Sequence, residues 1–491
     1  MGLRDIFLLV TIYGSVPFIY MKPFIGVLVW YWLSLMNPHR ISWTLTNQPF
    51  AEIIALAMLS SLLIARKESK RIPISPITVT LALFWLWMLI TTIFSLYPYL
   101  AWWQWDKVWK IMLTTYVAMI MLNSKERIIS LTAVSALSIG FYGFKGGLFT
   151  ILTGGGYKVW GPAGSFIGGN NEIGLALNMT IPLLVYLRSV VEYRVVKLAL
   201  LVGVVLCVFA IFGTQSRGAF VGIAAMGLFV IWKTKNRVFY LLVAVVVGSI
   251  VFNFMPASWH ERMETMETYQ EDGSAMGRIK AWHMAFNLAM DRPLGGGFEA
   301  FKPATYLMYL PEVGARGTDA HSIYFETMGE HGFIGLALFL MIGFFSFRAC
   351  GRIVRKTRGI EHLEWMNNLA RLIQASLVGY AVSGLFLGLS YFDFYYVLVA
   401  IIVGMMTVLR QELQASEPLA DAAMARAAGR VVPEAVPPGV VVASTSAFGR
   451  ATAGSSQFAA RARPLPPGKP LNSVPTVPEL ILLAKEWFRR L

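Results

Sequence analysis

Apolar runs long enough to cross a bilayer alternate with short basic connections along most of the chain, and one long polar-containing segment interrupts them. A membrane span needs about 20 apolar residues, and cytoplasmic connections carry the excess of Lys and Arg. The basic connections are ARKESKR (65–71), SKER (124–127), RSVVEYRVVK (188–197), KTKNR (233–237) and RACGRIVRKTRG (348–359). With all of them on the cytoplasmic side, an even number of spans must separate neighbours. The apolar runs predict these at about 78–97, 105–122, 128–151, 171–187, 195–213, 218–232, 238–256 and 322–347. Two more, at about 372–390 and 394–410, follow Arg371, and 51–65 leads into the first basic connection, which puts 37–50 outside. Pro17 and Pro23 break 6–36 into halves, each shorter than a comfortable span. One broken traverse gives twelve spans with both termini inside, which is the preferred reading; a hairpin gives thirteen and an external N-terminus.

This pattern predicts an all-α polytopic membrane protein in four parts. A transmembrane bundle covers 1–256, a large outer loop 257–321, further transmembrane helices 322–410, and a cytoplasmic tail 411–491. The tail is rich in Ala, Pro, Gly, Ser and Val without hydrophobic period and reads as disordered; its end, PELILLAKEWFRRL (478–491), has the pattern of a short basic amphipathic helix. Composition agrees with the membrane reading. The chain has 491 residues, 56% of them hydrophobic and 14% charged, with a mean hydropathy of +0.59, whereas soluble proteins carry roughly 25% charged residues. The net charge of +15 would suggest a nucleic-acid partner in a soluble protein, but here it belongs to the inner connections. Cys207 and Cys350 are not placed for an extracytoplasmic disulfide.

Three polar or glycine-rich segments fall together on the outer side: GGGYKVWGPAGSFIGGNNE (154–172), the tight turn GTQSRGA (213–219) and the loop 257–321. Arg217 sits in that turn, at the end of two apolar spans, where a charge is either functional or snorkels to the headgroups. Arg278 opens a predicted amphipathic helix over 275–290, with Trp282, Phe286 and Met290 recurring at i+4 on a face expected to rest on the spans or the lipid surface. His321, just before the returning span, has the unperturbed pKa of ~6.5 that suits a general base, although a lone histidine is more often structural. Asp319 would orient it. Arg292 and Arg316 are further candidates in loops, and His331, about 15 Å deeper along a regular helix, reads as a packing or gating residue. Glu326 and Glu330 share a face and should point into the protein. No nucleotide fingerprint follows a strand, and no Asp-x-Asp pair or His/Cys cluster has metal-site spacing. A phosphate ester would therefore be neutralised by arginines.

The motifs TQSRGAF, GRIKAWHMAFNLAMDRPLGGGFEAF and AHSIYFETMGEHGFIGL, in this order and topology, resemble the O-antigen ligase family, which includes O-antigen polymerases and bacterial protein O-oligosaccharyltransferases. The N-terminal RDIFLLVTIYGSVPFIYMKPFIGVLVWYWLSLMNPHR resembles the O-glycosylation ligases that accompany exosortase systems. The resemblance covers about 1–410. It implies a GT-C-type glycosyltransferase of the bacterial inner membrane, acting on the periplasmic side without nucleotide, metal or cofactor. Such an enzyme transfers a glycan from undecaprenyl diphosphate to an acceptor hydroxyl on protein or lipid. Arg217 and Arg278 match the family's diphosphate-gripping arginines, and His321 its loop histidine, the base. A cleft between the amphipathic helix and the spans would admit the prenyl tail. The alternatives are repeat-unit polymerisation within the same family, or a transporter of lipid-linked sugars.

Overall fold

The computed structural model describes residues 2–427 apart from 43, 46–47, 67, 69, 265–272 and 315–316. The tail helix expected at 478–491 and the candidate Arg316 lie outside the described residues. The described residues form helices and connections, with no strand among them. The chain opens with α1 (Leu3–Met21), α2 (Phe24–Met36), a short α3 (Pro38–Ile41) and α4 (Phe50–Ile64). Then come α5 (Pro76–Ile93), α6 (Pro98–Met121), α7 (Lys125–Leu152), α8 (Asn170–Val190), α9 (Arg194–Gly213), α10 (Arg217–Lys233) and α11 (Arg237–Phe254). The polar segment carries α12 (Ala257–Glu264), α13 (Gly273–Asp291) and α14 (Pro303–Tyr309). Last are α15 (Ile323–Lys356), α16 (Glu364–Ser383) and α17 (Asp393–Ala427). α17 runs on past Gln411, where the composition changes.

Nine of the described helices are long and apolar enough to cross a membrane, and α2 and α4 are shorter apolar helices. α6 is not among the nine. Asp106, Lys107 and Lys110 interrupt its apolar run. Several helices start where a serine can satisfy the orphan amides of the first turn. Ser75 accepts from Thr78 N, Ser124 from Arg127 N and Ser216 from Ala219 N. Burial separates centre from rim: α17 and α8 lie largely inside, whereas α11 is nearly all exposed, as expected of a helix that faces lipid.

The connections sort to two ends. At the basic end, Arg127 makes a forked pair with Glu68 at 2.6 and 2.9 Å, which ties 65–71 to the start of α7. Hydrogen bonding to that guanidinium holds the Glu68 carboxyl below its ordinary range. At the other end, Leu96 N donates to Gly296 O (2.8 Å), Val159 N to Gly213 O (2.8 Å), and Asn170 Nδ2 to Thr214 O (2.9 Å). The three outer segments expected to meet are thus joined there, by backbone or side-chain bonds, to one another or to neighbouring loops.

The N-terminal region departs from the preferred single broken traverse. α1 continues through Pro17, and the chain reverses at Lys22–Pro23. Asp5 accepts from Ser42 Oγ (2.6 Å) and Thr44 Oγ1 (2.8 Å), which places the start of α1 beside the 37–50 connection. Tyr20 OH meets Ser60 Oγ (2.9 Å), which places the far end of α1 beside the far end of α4. α1 and α2 therefore form the hairpin, with the N-terminus at the polar end. The proline count misled because only Pro23 sits where the chain turns; Pro17 costs α1 one internal amide bond without ending it.

Candidate active site

α13 lies along the entrance of α15, and Trp282 fastens it there. Trp282 Nε1 donates to Ala320 O at 2.9 Å, and its ring stacks on Phe325 at 4.8 Å with 5° between planes. The helix buries Ala281, Met284, Ala285, Leu288 and Ala289 against Phe301, Tyr306 and Met328. Of the i+4 series expected to rest on the spans or the lipid surface, Trp282 lies on Phe325 and Phe286 meets Phe333 edge-on at 5.9 Å, while Phe286 stays 47% and Met290 63% exposed. Small side chains let the backbones approach; the i+4 aromatic series marks the outward edge.

This fastening puts Arg278 and His321 at one place. The hydroxyl of Thr318 points back at Gly277 O (3.5 Å). The Arg278 guanidinium lies close enough for its charge to act on His321. Burial first, and then this cation, lower the His321 pKa below its ordinary value, while the carboxylate of Asp319 opposes both. The imidazole is thus kept neutral at pH 7 and can accept a proton. His321 is half-buried and holds a φ of +45°, in the left-handed region that a histidine enters at a cost. Asp319 is exposed and acts on His321 through its charge.

Arg217 is the first residue of α10, half-buried, at the helix end where amides favour an anion. Gln215, with φ of +53°, turns the chain into it and donates from Nε2 to Gly155 O (3.3 Å). The turn 384–386 stands between Arg217 and the His321 segment. A Cβ on Gly218 would lie 3.0 Å from Phe386 Cβ, and one on Gly384 would lie 2.5 Å from Ile323 Cδ1. Arg217 therefore shares the polar end with the Arg278–His321 pair, across one short turn.

The secondary candidates are placed differently. Arg292 donates to Phe94 O (2.9 Å) and Gly295 O (3.3 Å), and so ties the triple-glycine turn to the end of α5. His331 is fully buried: its Nδ1 meets Thr91 Oγ1 at 2.6 Å, its carbonyl accepts from Trp87 Nε1 (2.8 Å), and Phe84, Phe298 and Tyr391 surround the ring. Directly after it α15 breaks, with Gly332 at φ +66° and ψ −171°. The carbonyls of Gly329 and Glu330, released by that break, accept from Gly296 N and Gly297 N at 2.8 Å each. The glycine turn is therefore a plug that satisfies an interrupted helix.

Two groups went unread in the sequence. Ser390 donates through N (3.0 Å) and Oγ (2.6 Å) to Glu326, and Tyr391 OH donates to Glu330 Oε2 (2.6 Å). The signal was Ser390-Tyr391-Phe392-Asp393, a polar break between apolar runs. With Gln104, Ser165 and Glu172, the Glu326–Ser390 pair lines a polar hollow of about 230 Å³ one helical turn below His321. An apolar cavity of about 290 Å³ lies between α15 and α16, reaching from Ile323 and Tyr324 down to Phe347 and Leu377. It opens beside α16. No three of the described His, Cys, Asp and Glu side chains come together as a metal-binding group.

Comparison with known families adds to this geometry. Residues 3–191 match a family of unknown function, DUF5935, and residues 202–340 match the O-antigen ligase family. No curated protein matches the chain. The second match takes in the Arg217 turn, all of α13, His321 and the broken entry of α15. This multi-helix membrane chain thus carries a match to the O-antigen ligase family over residues 202–340.

Proposed function

We propose that the chain is a glycosyltransferase of the bacterial inner membrane. It moves a preassembled glycan from undecaprenyl diphosphate to an acceptor hydroxyl, on protein or lipid, at the periplasmic face. The observation that carries the reading is the junction of α13 with α15, where a cationic Arg278 and a histidine kept neutral sit side by side inside the O-antigen ligase match. His321 takes the proton of the acceptor hydroxyl, and the oxygen attacks the anomeric carbon from the side opposite the carrier. The bond from that carbon to the diphosphate breaks, and the charge left on the phosphate oxygens falls to Arg217 and Arg278. The apolar cavity beside α16 receives part of the prenyl tail, because its upper end begins two residues from His321. The polar hollow, with carboxylate and hydroxyl groups, suits sugar hydroxyls.

The test uses membranes holding the full chain, purified undecaprenyl-diphosphate glycan, and protein and lipid acceptors, without nucleotide and with EDTA. Transfer that is present in wild type and lost in His321→Ala and Arg217→Ala at equal protein level supports the proposal and names the acceptor. Transfer only onto another carrier-linked unit would make it a polymerase. Movement of labelled lipid across the bilayer without transfer would make it a transporter.

A further inference from the structure

A cavity of about 380 Å³, lined from α3, α7 and the loop after it, is not used by the proposed chemistry. Three cations from three separate elements line it: Arg40 at the end of α3, Lys145 in the last third of α7, and Lys158 in the loop that follows. Its described lining residues include no Asp or Glu. All three cations lie toward the polar end, away from the five basic connections. A cavity lined by charges of one sign focuses the field and concentrates the opposite ion, so the three suit an anionic ligand. Gly164 makes room for one of them, since a Cβ there would lie 3.3 Å from Arg40 Nη1. Tyr142, on the cavity wall, donates to Met36 O and ties α7 to the end of α2.

Exposed aromatic rings share the lining with these cations: Phe149 is 41% and Trp160 60% exposed. A cationic pocket that shares its lining with exposed aromatic rings matches an amphiphile: an anionic head among the cations and chains along α7. We propose that this cavity holds the headgroup phosphate of an acidic membrane phospholipid, at a site separate from the proposed glycan-transfer site. Bound there, the lipid steadies the loop that Val159 N ties to Gly213 O (2.8 Å), just ahead of the Arg217 turn. The proposal does not depend on glycosyl transfer.

The experiment is native mass spectrometry of the purified full chain in detergent, with added phosphatidylglycerol, phosphatidylcholine or inorganic phosphate. Wild type is compared with Arg40→Gln/Lys145→Gln/Lys158→Gln and with Lys233→Gln/Lys235→Gln/Arg237→Gln at the basic end. The single exposed change Lys145→Glu provides a variant that spares the fold. Lys145→Glu should retain phosphatidylglycerol about tenfold less well than wild type, since each charged contact is worth about that much, and the triple cavity variant should fall further, while the basic-end variant matches wild type. Equal retention by wild type and both cavity variants would overturn the site. Equal retention of phosphatidylcholine, or phosphate bound as tightly as the lipid, would overturn the assignment to an acidic phospholipid.

Discussion

Replacing Trp282 by Phe should separate the fastening of His321 from the chemistry of His321. The substitution keeps an aromatic ring against Phe325 and removes the N–H that donates to Ala320 O. Ala320 is only 2% exposed, so its carbonyl is left with little access to water. A buried acceptor stripped of its partner costs about 1–3 kcal/mol. The next residue holds φ at +45°, and a non-glycine residue in a sparsely populated region carries strain of about 1–3 kcal/mol. The bond and the strain are similar in size, so without the bond the loop is free to relax and carry the imidazole off position. If the whole loss appears as misplacement of the base, transfer falls about 5- to 150-fold. Trp282→Ala also forfeits the stack, about 0.5–1.5 kcal/mol more, and should be slower still. The assay is the single-turnover rate of glycan transfer, with folded protein checked by size exclusion in detergent. A Trp282→Phe enzyme within about twofold of wild type would refute the idea that this bond positions the histidine.

Gly332→Ala should cost about 3 kcal/mol or more, because φ is +66° and the new Cβ would lie 2.0 Å from Pro293 O. Thermal melting in detergent reads this loss, and Gly203→Ala, with no heavy atom within 4 Å, should melt like wild type. The pH profile follows from His321: its pKa is lowered, so the neutral base persists below the ordinary histidine value and the rate is lost only as pH falls through the lowered one. Arg278→Gln should move that acid limb to higher pH and Asp319→Asn to lower pH, since the first charge opposes protonation and the second favours it. An acid limb that stays put in both variants would mean that another group is titrating.

The long apolar runs made the helical membrane fold readable, because length and composition decide a span with little help from neighbours. The Arg217 turn, Arg278 and His321 stood out for the related reason that charge at the ends of apolar helices is costly and sparse. Local pattern did not reveal which face of α13 packs. Its aromatic series marked the edge along which Trp282 and Phe286 meet α15, but not the stripe of Ala281, Ala285 and Ala289 that the helix buries. Nor did it reveal the break at Gly332, whose backbone is held by bonds from a turn more than thirty residues earlier. The hairpin of α1 and α2 is set by Asp5 reaching Ser42 and Thr44, a contact between segments that neither segment announces. Arg40 was invisible as a cavity residue because its fellow cations come from α7 and the loop beyond it.

The pairing of Arg278 with His321 poses a question that bears on mechanism. A cation beside a base weakens it, so in the free protein His321 is held neutral partly at the expense of its proton affinity. A diphosphate bound to Arg278 would bring negative charge to the same place and offset that cation. On the proposed reading the base is then strongest when the donor is seated and weakest when the site is empty. The consequence can be measured, because the pH dependence of kcat/KM reports groups in the free enzyme and that of kcat reports the bound complex. The acid limb should lie at higher pH in the kcat profile than in the kcat/KM profile, and Arg278→Gln should narrow the gap. If the two limbs coincide in wild type, the diphosphate does not sit beside this arginine, and Arg217 must hold it alone.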